Sequence, residues 1–297
     1  MSAVSQGAPE REETPKVSVR VYYPHPNLES YVTFYYFVES AGPLTDFLYP
    51  EWGNVRLNVS GDWMVLNDPR DPAVPAKRVL FGPTDRRGKI VTGGGKTVGF
   101  GLTPGGWARL IGSDASKLAN RVVEITDEID LDVRGLQAAL MADGDDDTAG
   151  VARFDAALLD LLARRPPTPA PVLAADRALR NQPRDVATFA ELAGMSERSL
   201  HRICLRAYGF PPKRLLRRQR FLYTLGLIRV TPDPTLGTLI DLEYHDQSHF
   251  NRDFHDFMGM TASEYAATPR ALMQAAAAAQ VAAGIPLSFR LADPPTT

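Results

Sequence analysis

The chain of 297 residues is long enough for two domains of ordinary size, and its composition, 44% hydrophobic and 23% charged, is that of a soluble globular protein. A net charge of −2 excludes a uniformly polycationic chain, so any affinity for nucleic acid must come from a local patch. The single cysteine, Cys204, excludes an internal disulfide framework and a cysteine-built zinc site and suits a reducing cytoplasm. No run of about 18 apolar residues offers a membrane span.

Residues 1–16 are rich in Ser, Pro and Glu, lack an apolar core of signal-peptide length and read as a disordered lead-in. From Val17 the sequence predicts short strands over Val17–Tyr23, Tyr31–Ser40, Asn54–Val59, Trp63–Leu66, Lys77–Phe81, Lys89–Thr92 and Thr97–Leu102. These are rich in β-branched and aromatic residues and punctuated by Gly, Pro, Asn and Asp. Such a series forms a barrel or a sandwich. Helical stretches are expected near Trp107–Ile111 and Ala115–Asn120. The aromatic residues Tyr31, Phe34, Tyr35, Tyr36, Phe37 and Trp52 either line a ligand cavity or form an ordinary strand core. Gly93-Gly-Gly-Lys-Thr97 invites a phosphate-loop reading, but Ile90 stands where that motif needs glycine and a strand follows. A tight turn between strands is expected instead.

The period then changes. Leu131, Leu136, Leu140, Phe154, Leu158, Leu161 and Leu162 fall at helical spacing in two helices split by the acidic turn Asp143–Asp147. Their leucines suggest a dimerisation surface. Residues 17–163 thus form one domain. Residues 164–173, with four prolines in Arg164–Pro171, read as an extended spacer. Residues 174–270 are helical, with capping boxes at Thr188/Glu191 and Thr261/Glu264 and N-caps at Ser196 and Asp246. Residues 271–297 form an accessory tail to which the sequence assigns no role.

Phe189–Ser196 reads as a short helix, a glycine turn at Gly194 and the N-cap of a second helix. In that second helix Leu200, Ile203, Cys204 and Ala207 make an apolar stripe opposite Arg198, His201, Arg202 and Leu205. A recognition helix presents such a face to the major groove. Leu200, Arg202, Cys204 and Gly209 recur 50 residues later as Phe250, Arg252, Phe254 and Gly259, so Asp246–Phe254 is expected to be a second recognition helix. A long basic helix, about Pro212–Arg229, joins the two units. Between Ser196 and Val230 nine basic residues face one acid, a local charge of +8. Between Thr231 and Arg270 two basic residues face seven acids, a charge of −5. The first unit is therefore expected to supply most of the affinity for phosphate.

The segment Ala174–Pro269 resembles the AraC/XylS family of bacterial transcription regulators. The resemblance rests on A-E-L-A-G-M-S-E-R-S-L-H-R, on G-F-P-P-K-R-L-L-R-R-Q-R-F, and on Y-H-D-Q-S-H-F-N-R-D-F with G-M-T-A-S-E-Y behind it. It implies a multidomain α+β protein: a cupin-like N-terminal β-barrel with helices, and an all-α C-terminal domain of two helix-turn-helix units on a long helix. The stretch V-G-F-G-L-T-P-G-G-W-A-R-L-I-G, followed by K-L-A-N-R-V-V-E-I, is similar to the sensing domain of some members. Carried across, the base-reading positions are Arg198, His201 and Arg202, then Gln247, Ser248, His249 and Arg252. Arg can pair with guanine and Gln with adenine. Candidate phosphate contacts are Lys213, Arg214, Arg217 and Arg218. The resemblance implies double-stranded DNA, a small-molecule effector, a second copy of the chain and RNA polymerase as partners, with no cofactor and no membrane. Leu239 and Glu243 depart from the family, which has a small residue and glycine there, and put the geometry of the second unit's turn in question.

Four other readings compete. His245 and His249, four apart, have the spacing of a two-histidine metal face but meet it as easily by chance. A cupin-like metalloenzyme would need clustered histidines, yet His25 is the only one before Ala170, and a DNA-repair hybrid would need N-terminal cysteines that are missing. The alternative left standing is a protein-interaction module whose degenerate second unit binds DNA weakly.

Overall fold

A computed structural model of the chain describes residues 16–66, 73–125, 129–230, 244 and 246–286. Leu239, Glu243 and His245 lie outside the described residues, so the second unit's turn and the histidine pair are not described.

Among the described residues the N-terminal region has ten strands: β1 (Val17–Tyr22), β2 (Val32–Ser40), β3 (Leu44–Leu48), β4 (Asn54–Asn58), β5 (Trp63–Leu66), β6 (Val74–Pro75), β7 (Arg78–Phe81), β8 (Gly88–Thr92), β9 (Gly95–Leu102) and β10 (Val122–Glu124). They form two antiparallel sheets, in the orders β1-β2-β9-β4-β7-β10 and β3-β8-β5-β6. Alternation along β2 shows how they are used. Tyr36 and Val38 point into a core shared with Leu44, Leu48, Trp63 and Ile90 of the second sheet, whereas Tyr35 and Phe37 point the other way. Gly93–Gly95 is the expected tight turn, with Gly94 and Gly95 at positive φ, and carries the chain from one sheet to the other. Strands β3, β6 and β10 were not expected. They are short, and in β3 the apolar residues are separated by Thr45 and Asp46.

Helices α1 (Val133–Asp143) and α2 (Asp147–Arg164) cover the outer face of the six-stranded sheet. Leu136, Leu140, Phe154, Leu158 and Leu161 are buried there with Tyr35, Phe37 and Phe100. The leucine pattern is thus accounted for by packing within the chain, which removes it as a ground for dimerisation through these helices.

The proline-rich stretch is shorter than the sequence suggests. Only Arg165–Pro169 is non-helical, because α3 (Ala170–Arg180) takes Pro171 into its first turn, where a missing N–H costs nothing. The C-terminal domain continues with α4 (Val186–Leu192), α5 (Glu197–Tyr208), α6 (Pro212–Val230), α7 (Gln247–Met258) and α8 (Ala262–Ala267). It shares cores with the barrel. Trp52 packs with Val172, Leu179, Tyr208 and Leu215; Phe47 and Tyr49 pack with Phe221, Phe250, Phe254 and Tyr265.

The tail forms α9 (Ala271–Ala282), which lies against β1 and β3, one edge strand of each sheet. Leu272 is buried inside the barrel core. No side chain at the helix's own N-cap, Arg270, caps it. Asp46, buried in β3, does so: its Oδ2 accepts the backbone N–H groups of Leu272 at 2.8 Å and Met273 at 3.2 Å. At the other end the Tyr23 hydroxyl donates to the Gly284 carbonyl at 3.0 Å. The segment read as an accessory tail is, over 271–284, a wall of the barrel.

Candidate nucleic-acid interface

In the first helix-turn-helix unit, Asp185 caps α4 by accepting the Thr188 N–H at 2.8 Å. Thr188 is therefore inside the helix, and the capping box expected at Thr188/Glu191 does not form. Gly194, at φ 64°, makes the turn, a conformation strained for any residue with a Cβ. Ser196 caps α5 as expected. Leu200, Cys204, Ala207 and Tyr208 are buried, leaving Arg198, His201 and Arg202 together on the solvent face. The Cys204 thiol is raised by burial, consistent with a small core hydrophobe rather than a reactive group.

The second unit repeats this plan. Asp246 caps α7 through the His249 N–H at 2.7 Å, and Thr261 with Glu264 forms the capping box at α8. Phe250 and Phe254 are fully buried, and Gly259 ends α7 in the left-handed region as Gly209 ends α5. Gln247, Ser248 and Arg252 are exposed. His249 is half-buried, its ring edge-on to Tyr244 at 5.2 Å.

The acids of the second unit have a structural use. Asp253 is buried and accepts from Arg217 at 2.6 Å, and Asp256 accepts from Arg217 at 2.8 Å and pairs with Arg214. Charges that looked hostile to DNA thus fasten α7 to the basic connector α6. Of the four candidate phosphate contacts, Lys213 is exposed and lines a groove of about 700 Å³ with Arg184, Arg217, Arg220 and His249. Arg214 is turned onto the barrel, donating to Asp85 at 2.6 Å. Arg218 is not on the solvent side at all. It is fully buried with its guanidinium 4.0 Å from the Trp52 ring centre, and burial lowers its pKa to about 9 against the opposing pull of Asp85 and Glu51.

A second site lies inside the barrel. A cavity of about 100 Å³ is lined by apolar side chains of both sheets, by Leu272, Met273 and Ala276 of α9, and by the polar residues Glu51, Arg56, Thr97, Arg229 and Gln280. Of the aromatic cluster read from the sequence, Phe34 and Tyr36 face this cavity. Tyr35 and Phe37 pack on Phe154, Tyr31 on Arg109, and Trp52 on Tyr208, so the two readings of that cluster divide between faces. Arg56 was not anticipated. It alternates with Val55 and Leu57, a pattern that normally marks a solvent face, but here that face is the barrel interior.

The sequence profile of a family described as a helix-turn-helix domain matches residues 189–268, and that of a domain of unknown function (DUF6597) matches residues 20–124. No curated protein matches the chain. Among solved structures, ToxT from Vibrio cholerae is similar at 10% identity over 84% of this chain and 96% of its own, with a TM-score of 0.43. ToxT bound to (E)-4-(8-methylnaphthalen-1-yl)but-3-enoic acid gives 10%, 85%, 98% and 0.45. The AraC-like transcriptional activator CuxR gives 15%, 70%, 86% and 0.29. Residues 189–268, which carry α5, α6 and α7, are a helix-turn-helix domain. Among the described residues no helix is long and apolar enough to cross a membrane.

Proposed function

We propose that the protein is a one-component regulator that reads DNA through α5 and α7 and takes its signal in the N-terminal domain. The observation that carries this reading is the repeated recognition face: Arg198, His201 and Arg202 on one helix, Gln247, Ser248 and Arg252 on the other, each opposite a buried stripe. Lys213 and the groove-lining Arg184 and Arg220 take phosphates between the two major-groove contacts. Arg214 and Arg218 serve the docking of the barrel instead. The cavity walled by strands and by the segment that follows the second unit is where a signal would be received.

Selection of bound DNA from a random library by the full chain tests this, with Arg198→Ala and Arg252→Ala alongside. The expected result is an enriched two-part motif in which each variant relaxes one part, with affinity falling about tenfold for each. A motif altered only by Arg198→Ala would assign the second unit a positioning role. No motif at any salt concentration would overturn the reading in favour of a protein-interaction module.

A further inference from the structure

The caps put the two recognition helices in register. Ser196 caps α5 by accepting the Ser199 N–H, and Asp246 caps α7 by accepting the His249 N–H, an offset of 50 residues. At that offset Ser199 matches His249, His201 matches Asn251 and Arg202 matches Arg252. The third position after the cap is used within the protein in both units. Ser199 is half-buried with its hydroxyl 3.1 Å from that of Ser196, and His249 is half-buried with its ring edge-on to Tyr244. The fifth position is exposed in both, as His201 and as Asn251. The Asn251 amide has no hydrogen-bond partner among the described residues. It lies one turn beyond Gln247, as Arg252 lies one turn beyond Ser248, so these four residues form two adjacent rows.

We infer that Asn251, rather than His249, is the residue of α7 that reads a base beside Arg252, and that its base is adenine. This rests on the reading of α7 as a recognition helix and adds a specificity-determining residue to it. The choice of base follows from the side chain. An amide offers a donor and an acceptor side by side, and adenine presents the matching pair in the major groove, its N7 and its N6 amino group. Arg252, the next residue, has the donor fork that matches guanine O6 and N7. The half-site under α7 therefore carries an adenine next to a guanine. His249 instead lines the groove with Arg184, Lys213 and Arg220, the groove proposed to take phosphates. A contact made there positions the helix on the duplex but reads no sequence.

The test uses the full chain and the DNA it selects from a random library. Asn251 is exposed, so Asn251→Ala keeps the fold; it is expected to relax one A·T position of the motif, with Arg252→Ala relaxing the neighbouring G·C position. His249→Phe, which keeps a ring against Tyr244 and removes the ring nitrogens, is expected to leave every base preference intact and to shift affinity equally for all sequences. A modified base isolates the contact: 7-deazaadenine at the A·T position removes N7 and keeps the base pair. It is expected to lower the affinity of the unaltered chain about tenfold and that of Asn251→Ala by less than about twofold. A motif that Asn251→Ala leaves unchanged, a relaxed position other than A·T, equal loss on 7-deazaadenine for both chains, or a base preference lost with His249→Phe overturns the inference and leaves the regulator reading standing. Absence of any motif from the unaltered chain removes that reading, and this inference with it.

Discussion

Trp52 and Arg218 make one of the contacts on which the two halves of the protein meet. The indole is covered by the Tyr208 ring at 5.7 Å on one side and by the Arg218 guanidinium at 4.0 Å. Trp52→Ala is expected to cost about 3–5 kcal/mol, as removal of a buried aromatic does, and to leave Arg218 buried without its stacking surface. A urea titration followed by circular dichroism measures this, and a loss below about 1 kcal/mol would show that the contact is dispensable. Glu51, next in sequence, makes a pH-dependent contribution. Burial raises its carboxyl to about 7, opposed by Arg56 and Arg218. The folded state thus holds this proton more tightly than the unfolded chain, so the favourable term is full below the ordinary value of 4.5 and is lost as pH rises through 7. Glu51→Gln should therefore match the wild type most closely near pH 4 and exceed its stability above pH 7 by up to about 3 kcal/mol. A constant difference between pH 4 and 8 would refute this.

At the level of elements, the helices of the C-terminal domain were legible because their signals are local. Ser196, Asp246 and Thr261 cap helices through neighbours three residues away, and the repeat of Leu200, Cys204 and Gly209 as Phe250, Phe254 and Gly259 is written in the sequence. The turn at Gly93–Gly95 was legible for the same reason. The role of α9 was not, because its N-terminal cap comes from Asp46, more than two hundred residues earlier, and its alanines carry no amphipathic pattern. Likewise Arg56, set between Val55 and Leu57, carries no local mark, since nothing local distinguishes a barrel interior from solvent. Leu272→Asp tests the part that α9 plays. A charge placed in the barrel core should undock the helix, raise amide exchange over 271–282 to near that of free chain, and lower stability by about 2–4 kcal/mol. Exchange over α5 should be unchanged, since its core of Leu200, Cys204 and Tyr208 lies in a different cluster. Uniform loosening of the whole chain would instead make α9 part of a single cooperative core.

For the whole molecule, the central question is how much of its positive charge DNA can use. The connector region has a sequence charge of +8, but the structure spends Arg218 on Trp52, Arg214 on Asp85 and Asp256, and Arg217 on Asp253 and Asp256. Each phosphate neutralised on binding adds about 0.9 to the negative slope of log affinity against log salt. Lys213→Ala should therefore reduce the slope by about 1 while affecting all sequences alike. Arg218→Ala should leave the slope unchanged and show its effect in stability alone. Titrations of the selected DNA at several salt concentrations separate the two. If Arg218→Ala also lowered the slope, Arg218 would have to reach a phosphate in the complex. It could do so only by leaving Trp52, so the barrel would have to come away from α6 when DNA binds. The salt slope of one buried arginine thus distinguishes a regulator that binds DNA in its docked form from one that must open first.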